Sequence, residues 1–275
     1  MRLEVRKTYK LAIGGASVRS ESGRVVPVTG AGGEHLANAP LASRKDARDA
    51  VRAARAALGP WRARTAYNRG QILYRLAEVL EARTDELAGV VAASTGVTAK
   101  VARAELADCV EAAVHYAGWP DKLASVLGGV NQVAQPYFAF SAPEPVGVVG
   151  LVASDEPALA GLVEPLCAAL AGGNTVIALV SERFPLAGLD LAEALATSDV
   201  PGGVVNLLAG TRAEVGPPLA SHADIDALVD ASGDAELERR CAANMTRYRR
   251  PGPPQSLEAV QRTLELKTAW HPIGA

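Results

Sequence analysis

Three thiols give this 275-residue chain its most direct capacity for covalent chemistry: Cys109, Cys167 and Cys241. A thiol attacks carbonyls as its thiolate, which forms at neutral pH only where cations or a helix N-terminus lower the pKa. Cys241 follows Arg239 and Arg240, a placement that could do this. Cys109 and Cys167 fall on the apolar faces of helical segments, where cysteine acts as a small hydrophobe. All three are too scattered for a disulfide framework or a metal site. His115 lies beside an apolar helix face and His222 near a helix end, and both read as structural. Arg239, Arg240, Arg247, Arg249 and Arg250 concentrate positive charge, and are read as a solvated helix face rather than a polyanion site.

The elements that must position such groups are set by one stretch, Glu144 to Glu182. Val146–Val152 and Thr175–Val180 are continuous apolar runs of the kind buried on both faces of a parallel sheet. Between them Leu159, Leu162, Val163, Leu166, Cys167 and Leu170 recur at helical spacing, and Gly172-Gly173 supplies the turn that ends the helix. This is a βαβ unit. A second follows, with a helix from Pro185 to Ala196 and a strand at Val204–Leu208, then a helix at Ala213–Ala220 and a strand at Ala227–Asp230. The implied fold class is α/β, a Rossmann-like doubly wound parallel sheet.

Upstream, residues 8 to 30 alternate like small strands or an extended arm. Ser43 with Asp46 opens a helix expected to end at Gly59-Pro60, and three more helices follow to Ala117. Gln132–Phe140 and Glu144 read as a hairpin or edge strand. Beyond Cys241 a linker at Arg250–Pro254 precedes a final alternating strand near Arg262–Trp270.

Lys and Arg total 28 against 30 Asp and Glu, a net charge of −2, so neither nucleic acid nor an anionic membrane is attracted in bulk. The charged start and the lack of a long apolar run give no signal peptide or spanning helix, and the expected compartment is the cytoplasm.

The order of Gly14-Gly15, Pro60-Trp61, Asn68-Arg69 with Ile72-Leu73, Thr95-Gly96, Glu144-Pro145-Val146-Gly147-Val148, Gly172-Gly173-Asn174-Thr175-Val176, Ser181-Glu182 and Pro201-Gly202-Gly203-Val204-Val205-Asn206 closely resembles the aldehyde dehydrogenase superfamily. It corresponds to the family's N-terminal part. The resemblance implies a nicotinamide-binding domain, a β oligomerisation flap and a separate catalytic domain whose cysteine attacks the aldehyde. On this chain it implies cofactor-facing positions at Ser154, Asp155, Ser181, Glu182, Gly210, Ser232 and Gly233.

Several of these depart from the family. Asp155 stands for the amide that holds the oxyanion, and a carboxylate there would repel the developing charge. Leu179 stands for a lysine beside the ribose-binding Glu182. Asp230 begins the segment that faces the pyrophosphate, where it would add negative charge. No cysteine carries the family's surroundings, and neither the general-base segment nor the catalytic domain that the resemblance implies is expected within these 275 residues. NAD binding is therefore expected to be weakened or lost.

The expected organisation is an N-terminal arm and helical cover (1–130), flap strands (131–145 and 259–275), a Rossmann-like core (146–248) and a linker (249–258). The leading expectation is a catalytically silent subunit whose flap meets a full-length aldehyde dehydrogenase or a second copy of itself, like the incomplete second domain of two-domain family members. The alternatives are an NAD-binding oxidoreductase component whose partner supplies the thiol, and a ligand sensor using the crevice at the carboxyl ends of the strands.

Overall fold

The computed structural model describes residues 7–273. Two hairpins open it, β1 (Leu11–Ile13) with β2 (Ala16–Val18), and β3 (Val25–Thr29) with β4 (His35–Pro40). Five helices follow: α1 (Arg44–Arg62), α2 (Ala66–Ala82), α3 (Thr84–Thr95), α4 (Ala99–Ala117) and α5 (Leu123–Leu127). Then come β5 (Gly129–Asn131), β6 (Tyr137–Pro145), β7 (Val148–Val152), α6 (Ala160–Ala171), β8 (Thr175–Leu179), α7 (Pro185–Thr197) and β9 (Val205–Leu208). The chain closes with α8 (Arg212–Ala220), β10 (Ala227–Asp230), α9 (Ala235–Ala243), β11 (Arg247–Arg249), α10 (Leu257–Gln261) and β12 (Leu264–Pro272).

The main sheet has seven strands in the order β11-β10-β7-β8-β9-β1-β2. From β11 to β9 neighbours are parallel, and β1 joins β9 antiparallel. Every residue of β7, β8, β9 and β10 is buried, as the unbroken apolar runs require. The chain steps from β7 through β8 to β9 on one side, then returns to place β10 and β11 on the other. The switch in direction lies between β7 and β10, the place where sheets of this class open a crevice at their carboxyl edge.

Local chemistry sets the helix ends. Ser43 Oγ accepts from the Lys45 and Asp46 N–H groups, and Asp46 returns a bond to the Ser43 N–H at 2.8 Å, a complete capping box. Asp46 also takes Ser20 Oγ at 2.7 Å, which ties the N-terminal hairpins to α1. Gly96 and Gly173 follow α3 and α6 at φ +80° and +91°, a conformation that strains any side-chain-bearing residue.

One expectation is corrected and two are made narrower. Helix α1 does not stop at Gly59-Pro60 but continues to Arg62, because Trp61 is 99% buried and anchors the last turn, while the Ala63 N–H returns to the Gly59 carbonyl. Of the two readings of residues 8–30, small strands or an extended arm, the structure has small strands: β1 and β2 extend the main sheet. Within the linker placed at 249–258, residues 250–256 lie outside any helix or strand, while Arg249 ends β11 and Leu257 starts α10; Tyr248 of β11 bonds Asp230 at 2.9 Å.

The second sheet, β12-β6-β5, contains the strands expected to form a flap, and is called the flap below. β12 lies antiparallel along all of β6, from Leu264 opposite Pro145 to Pro272 opposite Tyr137. The stretch read as a hairpin or edge strand pairs β5 with β6 antiparallel, and β6 runs on through Pro143 because β5 reaches only Ala139–Ser141 and asks no N–H of Pro143. Asn174 roots the flap: its side chain accepts the Gly147 N–H and donates to the carbonyls of Ala169 and Thr263. Residues 274–275 of the expected flap strand and residues 1–6 of the expected arm lie outside the described residues.

Candidate functional site

The crevice lies past the ends of β7, β8, β9 and β10, and Asp155 is its first charged group. Asp155 Oδ1 accepts Ser181 Oγ at 2.8 Å and the Arg183 N–H at 3.1 Å, and it lies 2.7 Å from the Arg212 guanidinium. Burial opposes its ionisation. The Arg183 N–H, Arg212 and Ser181 together outweigh that cost and hold the Asp155 carboxyl below its ordinary range. The sequence led us to expect an uncompensated negative charge here. The structure corrects this, because Arg212 neutralises it.

Arg212 is the first residue of α8, and it gathers acids from two strand ends. Its backbone N–H donates to Glu182 Oε2 at 2.8 Å and its guanidinium to the Ala153 carbonyl at 3.3 Å. Asp155, Ser181 and Glu182 are thus brought together around a residue that the sequence reading passed over. A basic residue directly after the helix-capping Thr211 was the available signal. Gly210, between β9 and α8, packs where a Cβ would meet Ala42 N at 3.3 Å and Val215 Cγ2 at 3.1 Å. It is required for close passage of the chain.

Ser232 and Gly233 belong to a second cluster, built on Asp230. Asp230 is fully buried, and its two oxygens accept the N–H groups of Ser232, Gly233 and Asp234, the Ser232 hydroxyl and the Tyr248 hydroxyl at 2.6–3.1 Å. The free negative charge expected beside a pyrophosphate is therefore corrected as well: Asp230 faces inward and is consumed by its own loop. Arg250 lies over this loop, 3.8 Å from Asp230 Oδ2.

Ser154 is separate from both clusters. It lines a cavity of ≈ 440 Å³ with Asp108, Cys109, Pro157, Gly161 and Gln255. On the same side Glu105 Oε1, from α4, accepts the Leu159 and Ala160 N–H groups at 2.6 and 3.0 Å, capping α6. No spacing within the sequence signals Glu105, since the pairing spans two elements.

All three cysteines are buried. Burial pushes the Cys241 thiol up to about 11, with Asp230 and Glu238 adding to the rise, so the lowering expected from Arg239 and Arg240 does not occur. Those arginines face Glu236 instead. The basic concentration is only partly a helix face: Arg239 and Arg240 lie on α9, Arg247 and Arg249 on β11, and Arg250 follows. Burial raises Cys109 and Cys167 too. His115 accepts Trp119 Nε1 at 2.9 Å. Among the described residues no group of His, Cys, Asp and Glu could hold a metal ion, and no helix is long and apolar enough to cross a membrane.

A sequence profile described as the aldehyde dehydrogenase family matches residues 18–258. The chain is 36% identical over 231 residues to retinal dehydrogenase 2 of Gallus gallus, covering 82% of this chain and 44% of that protein. An NAD-dependent aldehyde dehydrogenase from Sinorhizobium meliloti superposes with a TM-score of 0.85 at 27% identity, over 90% of this chain and 50% of that one. The NAD+ complex of aldehyde dehydrogenase from Bacillus cereus superposes with a TM-score of 0.83 at 29% identity, over 90% and 51%. The chain spans about half the length of these relatives, or less.

Proposed function

The chain belongs to the aldehyde dehydrogenase family, and from that membership we propose that it serves as a catalytically silent subunit, docking through its flap onto a full-length family member or a second copy of itself. The observation that carries this reading is the flap's surface. Tyr137, Leu266 and Trp270 share one face of the β6–β12 ribbon, and Val130, Phe138 and Phe140 the other, by the alternation of the strands. All six are exposed, Leu266 at 62% and Trp270 at 59%. Apolar groups concentrated in this way mark association surfaces, and the outer edge of β12, unpaired among the described residues, offers a row of backbone groups to a further strand.

Silence in catalysis is supported by the thiols. A family nucleophile must reach an aldehyde as a thiolate, whereas each cysteine here is buried and raised in pKa. The test is recovery of the tagged protein from its own cells in native form. A family member in fixed ratio, or a self-oligomer that dissociates on Trp270→Ala, supports the reading. A strictly monomeric protein that ignores aldehyde dehydrogenases sinks it.

A further inference from the structure

We infer that the crevice at the carboxyl edge of this sheet is self-occupied: the chain's own carboxylates hold the amides and cations on which a dinucleotide would have to sit. The inference concerns the cofactor site alone and stands apart from the assembly reading.

A dinucleotide in a doubly wound sheet places its diphosphate on free N–H groups at helix N-termini and offers ribose hydroxyls to a carboxylate. Seats at four helix starts are engaged by the chain's own acids. At α9 the amides of Ser232, Gly233 and Asp234 all donate to Asp230. At α6 those of Leu159 and Ala160 donate to Glu105. At α8 the Arg212 N–H donates to Glu182 Oε2, committing one oxygen of the carboxylate that the resemblance assigns to the ribose. Ahead of α7 the Arg183 N–H donates to Asp155.

The cations are committed in the same way, Arg212 to Asp155 and Arg250 to Asp230. A diphosphate would have to displace Asp230, and a fully buried carboxylate has no solvent to turn to. The residues present do not fit the cofactor. They form an internal brace at the carboxyl edge of the sheet.

The test is a titration of the full chain with NAD+, ADP-ribose and inorganic pyrophosphate, read at the backbone amides by nuclear magnetic resonance, with hydrogen exchange measured in parallel. The expected result has two parts. The amides of Ser232, Gly233, Asp234 and Arg212 stay unmoved at millimolar nucleotide. In the absence of ligand the three loop amides exchange at least tenfold more slowly than unbonded loop amides. Saturable shifts of those amides with any of the three probes, or exchange as fast as an open loop, would overturn the inference. Both arms use the wild-type protein and no activity assay, so failure here is distinct from failure of the assembly reading, which is decided by native mass.

Discussion

The Arg212 guanidinium lies 2.7 Å from Asp155 Oδ1, joining the first turn of α8 to the loop after β7 across the mouth of the crevice. Both side chains are largely covered, at 22% and 28% exposure, so solvent screens the pair less than a surface contact. Arg212→Ala leaves Asp155 with two neutral donors and is expected to cost about 1–3 kcal/mol. The pH dependence follows from the lowered Asp155 pKa. A carboxyl held below its unfolded value stabilises fully above that value, near ~3.9, and loses the contribution as pH falls through the lower folded value. The deficit of Arg212→Ala is therefore complete at neutral pH and shrinks in acid, which thermal melts across the acid range will read. A deficit independent of pH would contradict the pairing.

Asp230 is the most heavily bonded acid of the crevice. Asp230→Ala removes a buried carboxylate and orphans the amides of Ser232, Gly233 and Asp234, with an expected loss of about 3–5 kcal/mol in denaturant unfolding.

Tyr248 tests the same cluster from the alkaline side. Burial, then the bond to Asp230, raise its phenol to about 12. A raised phenol stabilises fully below its unfolded pKa of ~10 and loses that contribution as pH climbs to the folded value. Stability should decline between pH 10 and 12, and Tyr248→Phe should cost about 1 kcal/mol at neutral pH while flattening that decline. Tyr9, also raised to about 12 by burial and then by its bond to Asp190, contributes a second part that survives the substitution.

Thiol accessibility gives a third check. With Cys109, Cys167 and Cys241 all buried, an aromatic disulfide reagent at mildly alkaline pH should find no fast-reacting thiol in the native protein and all three after unfolding. One thiol reacting rapidly in the folded state would reopen the question of a nucleophile.

Much of the fold was legible because its signals are local. The apolar runs of β7 and β8 can only be strands covered on both faces, Ser43 with Asp46 announces a helix start, and the glycines after α3 and α6 announce two ends. Pro60 misled because a proline in a last turn loses little when Trp61 anchors it from inside the core. β11 was missed because its three residues pair with β10 instead of alternating clearly on their own. At the crevice, the positions of Asp155, Glu182 and Asp230 were legible and their partners were not. Arg212 and Tyr248 meet them across the fold, as Glu105 meets the start of α6, and a single sequence read alone carries no trace of such distant pairings.

The association surface proposed for this chain lies on the β12-β6-β5 sheet, so its exposed residues are expected to matter to assembly and little to folding. Trp270→Ala and Leu266→Lys are expected to shift monomer stability by no more than about 0.5 kcal/mol, since both side chains are exposed. In the assembly a central aromatic truncated in this way costs at least about 2 kcal/mol, roughly thirtyfold in Kd, measurable by sedimentation or titration.

Native mass of the complex recovered from its own cells through a tag on this protein tests the central claim most directly. The account predicts a fixed-ratio complex with a larger aldehyde dehydrogenase, or a discrete self-oligomer, in either case dissociated by Trp270→Ala. A monomer recovered alone, and unchanged on addition of an aldehyde dehydrogenase, would contradict it.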